Sequence, residues 1–184
     1  DIPDPITEVV KHRQNNYVNT MMYTDRALKA FFAESQKQEW FKNTLFVIVA
    51  DHSHENHRDY DFDEKNFHHI PLILYGDVLR PEYKSKKIEY VTSQLDITPT
   101  LLAQLSLNSS AYPFGKNSLN PGANRFAYYY FFSGTGIITD SCFAGFATED
   151  RSVIRTDCKD TVNIAALHKI NDAWVQKEYD DYLR

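Results

Sequence analysis

The chain has 184 residues, a formal net charge of −5 and a hydrophobic fraction of 42%. This composition is typical of a packed globular protein and excludes a largely disordered one, and the acidic balance disfavours a nucleic-acid partner. No run of about 18 consecutive apolar residues occurs, so no stretch of the sequence is predicted to span a membrane. Because the chain begins at "DIPDP" without Met, we expect it to be a piece of a longer protein.

The first half of the chain predicts a long helix and two buried strands. Apolar residues recur with helical spacing and predict a helix over residues 9–38. The continuous apolar run "TLFVIVA" at 44–50 is typical of a strand that is buried on both faces. Residues 52–68 are polar and without periodicity, which predicts a loop, and "IPLILYG" at 70–76 predicts a second buried strand that tolerates Pro71 near its start.

The second half predicts a short helix, a small antiparallel unit and a last helix. In "QLDITPTLLAQL", Thr98 is predicted to cap the helix and Pro99 to take its first position. A loop rich in Ser, Asn, Pro and Gly follows over 106–125. The runs "FAYYYFF", "GIITDSCFAGFAT" and "SVIRT" predict two or three antiparallel strands, and a helix is predicted over 163–183.

This order of elements indicates an α/β fold. Two strands that are buried on both faces do not make a stable sheet by themselves. We therefore expect both to lie inside a larger sheet that chain upstream of Asp1 completes.

The two cysteines, Cys142 and Cys158, lie in the strand-rich C-terminal part, and their spacing does not match a zinc motif. They either pair as a disulfide, as in an exported protein, or remain two separate buried thiols. The sequence leaves both alternatives open.

Candidate metal ligands follow the first buried strand directly. Ligands of open α/β sheets bind just beyond the carboxyl ends of strands, and Asp51 and His52 stand at that position. A carboxylate oxygen and an imidazole nitrogen suit Zn²⁺ or Mn²⁺. The alternative is that Asp51 caps a turn and His52 is a surface histidine, but the apolar strand before them and the ligand-rich loop after them favour a metal site.

Two further histidines are candidate site residues. His69 stands at the entry of the second strand, so the sheet fixes its position, and His54 lies two residues after His52. Ser53 is not interpreted as a nucleophile, because neighbouring residues at a strand end rarely have the geometry of a hydrolytic triad. The loop carries further candidate ligands, and most of them are expected to be solvated; they are Glu55, His57, Asp59, Asp61, Asp63, Glu64 and His68.

Four motifs follow one another in a fixed order: "YTDRALKAFFAESQKQEWFKNTLFVIVADHSHE", "HIPLILYG", "QLDITPTLLAQLSL" and "YPFGKNSL". Together they resemble the alkaline-phosphatase superfamily, in its sulfatase and lipoteichoic-acid-synthase-like branch. Members of that branch show a Y-x-D helix, a strand ending in "DHG", a D-x-x-P-T-L helix and an F-G-x-S-L turn. Ser53 departs from the pattern, because it replaces the Gly that usually follows "DH".

The resemblance implies the C-terminal part of a mixed-sheet α/β domain with a small antiparallel β unit and a C-terminal helix. Residues 1–120 are expected to belong to the metal-dependent catalytic domain, and 121–184 to be the antiparallel strands and last helix of the same domain. Asp51 and His52 match the family's late pair of ligands for a divalent metal (Mn, Zn, Mg or Ca). His69 looks like a histidine that contacts the substrate or a second metal in relatives.

The implied activity is cleavage or transfer of a phosphate or sulfate ester. The family's nucleophile and early acidic ligand find no match here, so no catalytic residue is expected in this chain. We expect the N-terminal half of the same protein to supply them, and the fragment alone to be inactive.

The leading hypothesis is a phosphoglycerol-transferase-like enzyme that acts on a phospholipid or glycan at the cell envelope, anchored through a missing N-terminal segment. The acidic loop 53–69, with Arg58 and Lys65 as its basic residues, favours this phosphoryl branch over a sulfatase. A sulfatase and a degenerate, non-catalytic metal-binding domain remain alternatives. A stand-alone α/β interaction module is disfavoured by the unpaired buried strands.

Overall fold

The computed structural model of the protein describes residues 13–53 and 60–184. The chain divides into two compact units. The first unit comprises Asp1–Asp59 and His69–Lys86, and the second comprises Tyr60–His68 and Lys87–Arg184. None of the helices in the described ranges has the length and apolar character that crossing a bilayer requires.

The first unit contains one long helix and a two-stranded sheet. Helix α1 spans Arg13–Ser35, a 3-10 helix spans Glu39–Asn43, and strands β1 (Phe46–Val49) and β2 (Leu72–Tyr75) pair antiparallel. A further 3-10 helix spans Pro81–Tyr83. The predicted first helix ends three residues earlier than expected, and residues 9–12 lie outside the described part.

Aromatic side chains hold helix α1 to this sheet. The ring of Phe46 on β1 lies 5.1 Å from that of Phe32 on α1 and 5.4 Å from that of the buried Phe41. Tyr75, which pairs with Phe46 across the sheet, also contacts Phe32, at 5.2 Å between ring centroids. Edge-to-face rings at these distances add to the free energy gained from their burial, so the two strands are fixed by the helix as well as by each other.

The prediction that both strands are buried on both faces is wrong for the described residues. Ile73 keeps 51% of its surface exposed, and Val49 and Leu72 keep about 40%. The apolar run was interpreted correctly as strand, but two strands and one helix do not provide enough apolar surface to cover both faces. Within residues 13–53 and 60–184, no third strand pairs with β1 or β2.

The second unit is a four-stranded antiparallel meander with a helix packed on it. Its strands are β3 (Phe126–Phe131), β4 (Gly134–Thr139), β5 (Phe143–Ala147) and β6 (Val153–Thr156), in that spatial order. One strand more than predicted is present, because the run "GIITDSCFAGFAT" folds into two strands. Its turn is fixed by the Thr139 hydroxyl, which donates to the Cys142 carbonyl oxygen at 2.8 Å.

The core of the second unit lies between this sheet and helix α3, which spans Thr161–Tyr182. Ile137, Ala144 and Phe146 from the sheet pack with Leu167 from the helix, and all four are buried. The Asp160 carboxylate caps α3 by accepting the Asn163 N–H at 2.7 Å, which places the helix start two residues before the predicted one.

Gly136 on β4 allows a close approach of the Tyr129 ring. The two residues pair across β3 and β4. A Cβ atom at position 136 would lie 2.4 Å from the ring of Tyr129. Only glycine leaves room for the ring in this position.

Helix α2 (Ile97–Gln104) begins earlier than the sequence predicts. A 3-10 turn at Gln94–Asp96 precedes it and is capped by Ser93, whose hydroxyl accepts the Leu95 N–H at 3.3 Å. The Asp96 carboxylate accepts the Ser93 N–H in return, at 2.9 Å. The prediction of Thr98 as the N-cap is therefore wrong, because this capping box satisfies the first N–H groups one turn upstream.

Cys142 and Cys158 form a disulfide, so the first of the two alternatives left open by the sequence holds. It links the turn before β5 to the segment before α3, 16 residues apart. A cross-link of this length restricts the unfolded chain and stabilises the fold by about 3 kcal/mol.

Replacing both cysteines by serine is expected to lower the free energy of unfolding by about 3 kcal/mol. Urea denaturation of the full-length protein measures this difference. The wild type with a reductant serves as the control and should approach the variant, whereas the variant should not respond to the reductant. An unchanged urea midpoint in the double variant would show that the cross-link contributes no stability.

Candidate metal centre

Asp51 and His52 follow strand β1 directly, at the end of the two-stranded sheet. The Ala50 N–H donates to the Pro71 carbonyl oxygen at 3.4 Å and extends the pairing of β1 and β2 up to this point. The Asp51 carboxylate accepts the N–H of His52 at 2.8 Å, which turns the chain out of the strand. Both side chains are exposed, so they are accessible to an ion from solvent.

The two side chains offer donor atoms at a separation that suits one ion. Asp51 Oδ2 and His52 Nε2 lie 3.4 Å apart. Two ligands of a tetrahedral zinc ion, each at about 2.0 to 2.1 Å from the metal, stand about 3.3 Å from each other. The residues present therefore fit two positions of a metal site.

The hydrogen bonds of the pair also suit metal binding. His52 Nδ1 lies 2.6 Å from the Ser53 carbonyl oxygen. A carbonyl only accepts, so Nδ1 carries a proton, and the tautomer that binds a metal would offer its lone pair at Nε2, the nitrogen that faces Asp51. The hydrogen bond from the His52 N–H lowers the pKa of Asp51. A lowered pKa keeps the carboxyl ionised, as a metal ligand must be.

Position 69 lies at the same end of this sheet. In the observed register Phe46 pairs with Tyr75 and Val49 with Leu72. His69 precedes β2 by three residues, on the side of the sheet where β1 ends, and it is exposed. The antiparallel pairing of β1 and β2 thus brings two chain segments that lie 17 positions apart in sequence to the same end of the sheet.

His54, the other histidine assigned to the site from sequence, lies outside the described residues. Over ranges 13–53 and 60–184, one set of three ligand-type side chains has its ligand atoms within 4.8 Å of one another, namely Cys142, Asp157 and Cys158. Its sulfur atoms are bonded to each other. The roles of Asp51, His52, His69 and His54 in metal or substrate binding stay predictions.

The acidic residues of the 60–68 segment belong to the second unit and gather on Arg155 of strand β6. The Arg155 guanidinium donates from Nη2 to Asp61 at 2.8 Å, from Nε to Asp63 at 2.9 Å and from Nη1 to Glu64 at 2.5 Å. We name these four residues the Arg155 clamp. The expectation of solvated carboxylates is wrong for Asp63 and Glu64, whose side chains are only 15% and 25% exposed, whereas the Asp61 side chain is 72% exposed.

His68 anchors the same segment. Its Nε2 bonds the Phe62 carbonyl oxygen at 2.8 Å, and its ring packs 4.4 Å from that of Tyr129. Burial lowers the pKa of His68 below 6.5, although the bond to Phe62 works in the opposite direction. The ring is therefore neutral near pH 7, and His68 contributes packing.

Lys65 forms the remaining ion pair of the segment, with Asp157. Partial burial raises the pKa of Asp157, but the hydrogen bonds from Lys65 and from the Phe143 N–H together outweigh it and hold the pKa below 3.8. A group whose pKa is lower in the folded state stabilises the fold above its unfolded pKa. That stabilisation is lost as the pH falls through the folded value.

Replacing Asp157 by Asn is therefore expected to destabilise the protein by a constant amount above about pH 5, and by progressively less below about pH 3.8. Urea unfolding of wild type and variant between pH 3 and pH 7 measures the difference. A difference that stays constant down to pH 3 would contradict this account.

Comparisons with known proteins give consistent similarities. The family model described as Sulfatase matches residues 4–107. Lipoteichoic acid synthase 2 of Bacillus subtilis (strain 168) is 22% identical over 111 residues, which are 53% of this chain and 16% of that protein. The lipoteichoic acid synthase-like protein YvgJ of the same organism is 24% identical over 127 residues, which are 61% of this chain and 20% of that protein.

A solved structure shares the fold. It is the crystal structure of a protein in the alkaline phosphatase superfamily from Vibrio parahaemolyticus, with a TM-score of 0.71 and 19% identity. The match covers 98% of this chain and 46% of that one. This likeness confirms the predicted fold class, and the chain spans less than half the length of each of these three proteins.

Proposed function

Since this chain belongs to the sulfatase family, we propose that it is the C-terminal part of a metal-dependent enzyme that transfers or hydrolyses a phosphate ester. The observation that carries the proposal is the pair Asp51 and His52, whose donor atoms lie 3.4 Å apart at the end of β1. The motifs that predict this pair stand in the order typical of the alkaline-phosphatase superfamily, to which the chain's fold belongs.

The residues of this chain have two tasks in the proposed reaction. Asp51 and His52 hold one divalent ion, Mn, Zn, Mg or Ca, with the His52 tautomer set by its bond to Ser53. His69 contacts the substrate or a second ion from the same end of the sheet. A bound ion supplies Lewis acidity, which activates a nucleophile and stabilises charge on the ester oxygens. The nucleophile and the early acidic ligand come from the N-terminal half of the protein.

The phosphoryl branch is favoured over the sulfuryl branch. Two relatives carry names of the lipoteichoic acid synthase type, and a phosphoglycerol-transferase-like reaction on a phospholipid or glycan is the corresponding proposal here. The basic side chain of Lys65 is engaged by Asp157, so it is a poor candidate for sulfate recognition. The family model's description keeps a sulfatase as the second candidate.

We place the enzyme at the cell envelope, outside the cytoplasm. The Cys142–Cys158 disulfide supports this location, because disulfides persist in oxidising compartments. Membrane attachment through an N-terminal segment is part of the same proposal.

The experiment that tests the function uses the full-length protein with p-nitrophenyl esters of phosphate, phosphodiester and sulfate. We expect turnover of phosphate esters that a chelator abolishes and an added divalent metal restores. Faster turnover of the sulfate ester would favour the sulfatase. An absence of turnover of every ester with every metal, together with stoichiometric metal binding, would identify a degenerate binding domain.

A further inference from the structure

We propose that Cys142, Asp157 and Cys158 form a redox-dependent metal site, which takes a Zn²⁺ ion once the disulfide between the two cysteines is reduced. All three residues lie in the second unit. The inference goes beyond the proposed function and does not depend on it, because the site shares no residue with the candidate metal centre at Asp51 and His52.

The spacing of the ligand atoms is the first support. The two Sγ atoms and a carboxylate oxygen of Asp157 all lie within 4.8 Å of one another. Ligand atoms of a tetrahedral zinc ion stand about 3.3 to 3.8 Å apart, and three protein ligands with one water make a common zinc site. Once the S–S bond is broken, the sulfur atoms can separate to this spacing.

Hydrogen bonds that do not involve the disulfide hold both cysteines in place. The Cys142 N–H donates to the Thr139 hydroxyl at 3.2 Å, and the Cys158 N–H donates to the Thr156 hydroxyl at 3.0 Å. The pairing of β5 with β6 keeps the two segments side by side. Reduction removes none of these bonds, so the thiols stay close to each other.

Asp157 is positioned to complete the site. Its Oδ1 accepts the Phe143 N–H at 2.7 Å, and its Oδ2 accepts the Lys65 ammonium group. A carboxylate oxygen has more than one lone pair, so both bonds can persist while the group binds a metal. The Asp157 side chain is 38% exposed, which leaves it accessible to an ion from solvent.

Charge explains why the site depends on the redox state. In the oxidised protein Asp157 is the one charged ligand, and Lys65 already neutralises it. After reduction, two thiolates and the carboxylate carry three negative charges, which Zn²⁺ and Lys65 neutralise together. Thiolate ligands favour Zn²⁺ over Mg²⁺ or Ca²⁺.

The chemistry balances with a dithiol as reductant. Its two thiols give two electrons and two protons to the cysteine sulfurs and join as a disulfide, while the protein S–S bond breaks. Zn²⁺ then forms two Zn–S bonds and releases both thiol protons to solvent. The same two chain segments are thus linked by a covalent bond in one state and by a metal in the other.

Metal binding by the reduced full-length protein tests the inference. A phosphine replaces the dithiol, because it does not compete for zinc through sulfur. We expect the reduced wild type to bind one more equivalent of Zn²⁺ than the oxidised wild type, and Co²⁺ in its place to show sulfur-to-metal charge-transfer absorption. The double variant Cys142→Ser/Cys158→Ser should bind the same amount with and without the phosphine.

Two aspartate variants test the third ligand. Asp157→Asn should lower the zinc affinity of the reduced protein by more than about tenfold, since even loss of a group that supports a ligand has effects of this size. Asp150→Asn is the matched control, because Asp150 is an exposed aspartate of the same unit whose carboxylate accepts the Ser152 N–H. Its affinity should equal that of the wild type.

Stability gives an independent readout. In metal-free buffer, reduction should lower the urea midpoint of the wild type, and excess Zn²⁺ should raise it again, because a ligand that binds the folded state stabilises it. The rise should exceed that of the reduced double-serine variant, which keeps the candidate centre at Asp51 and His52 but lacks both sulfurs. Should reduction unfold the second unit, Zn²⁺ is expected to restore its circular dichroism.

Four results would overturn the inference. They are equal zinc content of the oxidised and reduced wild type, an extra equivalent in the reduced double-serine variant, unchanged affinity in Asp157→Asn, or a reduced, unfolded protein that Zn²⁺ does not refold. Failure of the proposed function looks different, because it shows in ester turnover and in the metal content of Asp51→Asn and leaves these four comparisons unaffected.

Discussion

Replacing Asp51 by Asn in the full-length protein is expected to lower metal affinity and kcat/KM by more than about 100-fold each. Loss of a group that merely supports a ligand already reduces metal affinity by about 10- to 100-fold, and loss of a ligand has a larger effect. Asn keeps the shape of the side chain and still accepts the His52 N–H, so the local turn is preserved. The change therefore removes the negative charge and little else.

Metal content by elemental analysis and titration with Mn²⁺ or Zn²⁺ measure the first quantity, and turnover of a phosphate ester measures the second. Asp77→Asn is the matched control, because Asp77 is an exposed aspartate of the same unit that follows β2 at the other end of the sheet. It should retain both properties. Metal content equal to that of the wild type in Asp51→Asn would falsify the assignment of Asp51 as a ligand.

Asp96→Ala is expected to lower the free energy of unfolding by about 3 to 5 kcal/mol, the range for removing one partner of a buried ion pair. Asp96 is 1% exposed. Its carboxylate accepts Lys116 Nζ at 2.8 Å, the Lys116 N–H at 3.0 Å and the Ser93 N–H at 2.9 Å. Alanine would leave a charged amine and two N–H groups without their acceptor, and would remove the capping box ahead of α2.

Urea unfolding of the full-length protein measures the loss. Lys116→Met should also destabilise the protein, because it leaves the buried Asp96 carboxylate with two N–H donors but without its counter-charge. Asp150→Ala is the exposed control, and a surface change of this kind is expected to stay within about 1 kcal/mol of the wild type. A loss of less than about 1 kcal/mol in Asp96→Ala would show that Asp96 contributes no more than a surface aspartate.

The helices and strands could be predicted where the pattern of neighbouring side chains is sufficient to determine them. The apolar run before Asp51 gave strand β1 correctly, since side-chain pattern alone decides it. The burial of that strand was predicted wrongly, because burial depends on surface that other parts of the protein provide. The capping of α2 was missed for a smaller reason. Thr98–Pro99 has the form of a helix start, but the helix is preceded by a capping box in which Ser93 accepts the Leu95 N–H and Asp96 accepts the Ser93 N–H.

The candidate site was predictable in part for the same reason. Asp51 and His52 are adjacent and follow a strand, so the sequence itself brings them together. That position 69 lies at the end of the sheet where β1 ends follows from the antiparallel pairing of β1 and β2, which the sequence did not reveal. Arg155 gave no signal at all, because its partners lie more than 90 positions away in the chain. A long-range charge cluster has neither a period nor a motif.

The close approach of Tyr129 to Gly136 has a consequence for mutational tolerance. Tyr129 carries the hydroxyl that holds the Asp63 carbonyl and the ring on which His68 packs. A methyl group at position 136 would meet that ring at 2.4 Å and displace it. Gly136 has no side chain, yet the contacts of Tyr129 with the 60–68 segment depend on the absence of a Cβ atom at this position. Substitutions of Gly136 are therefore limited by side-chain volume, and even the methyl group of alanine is too large.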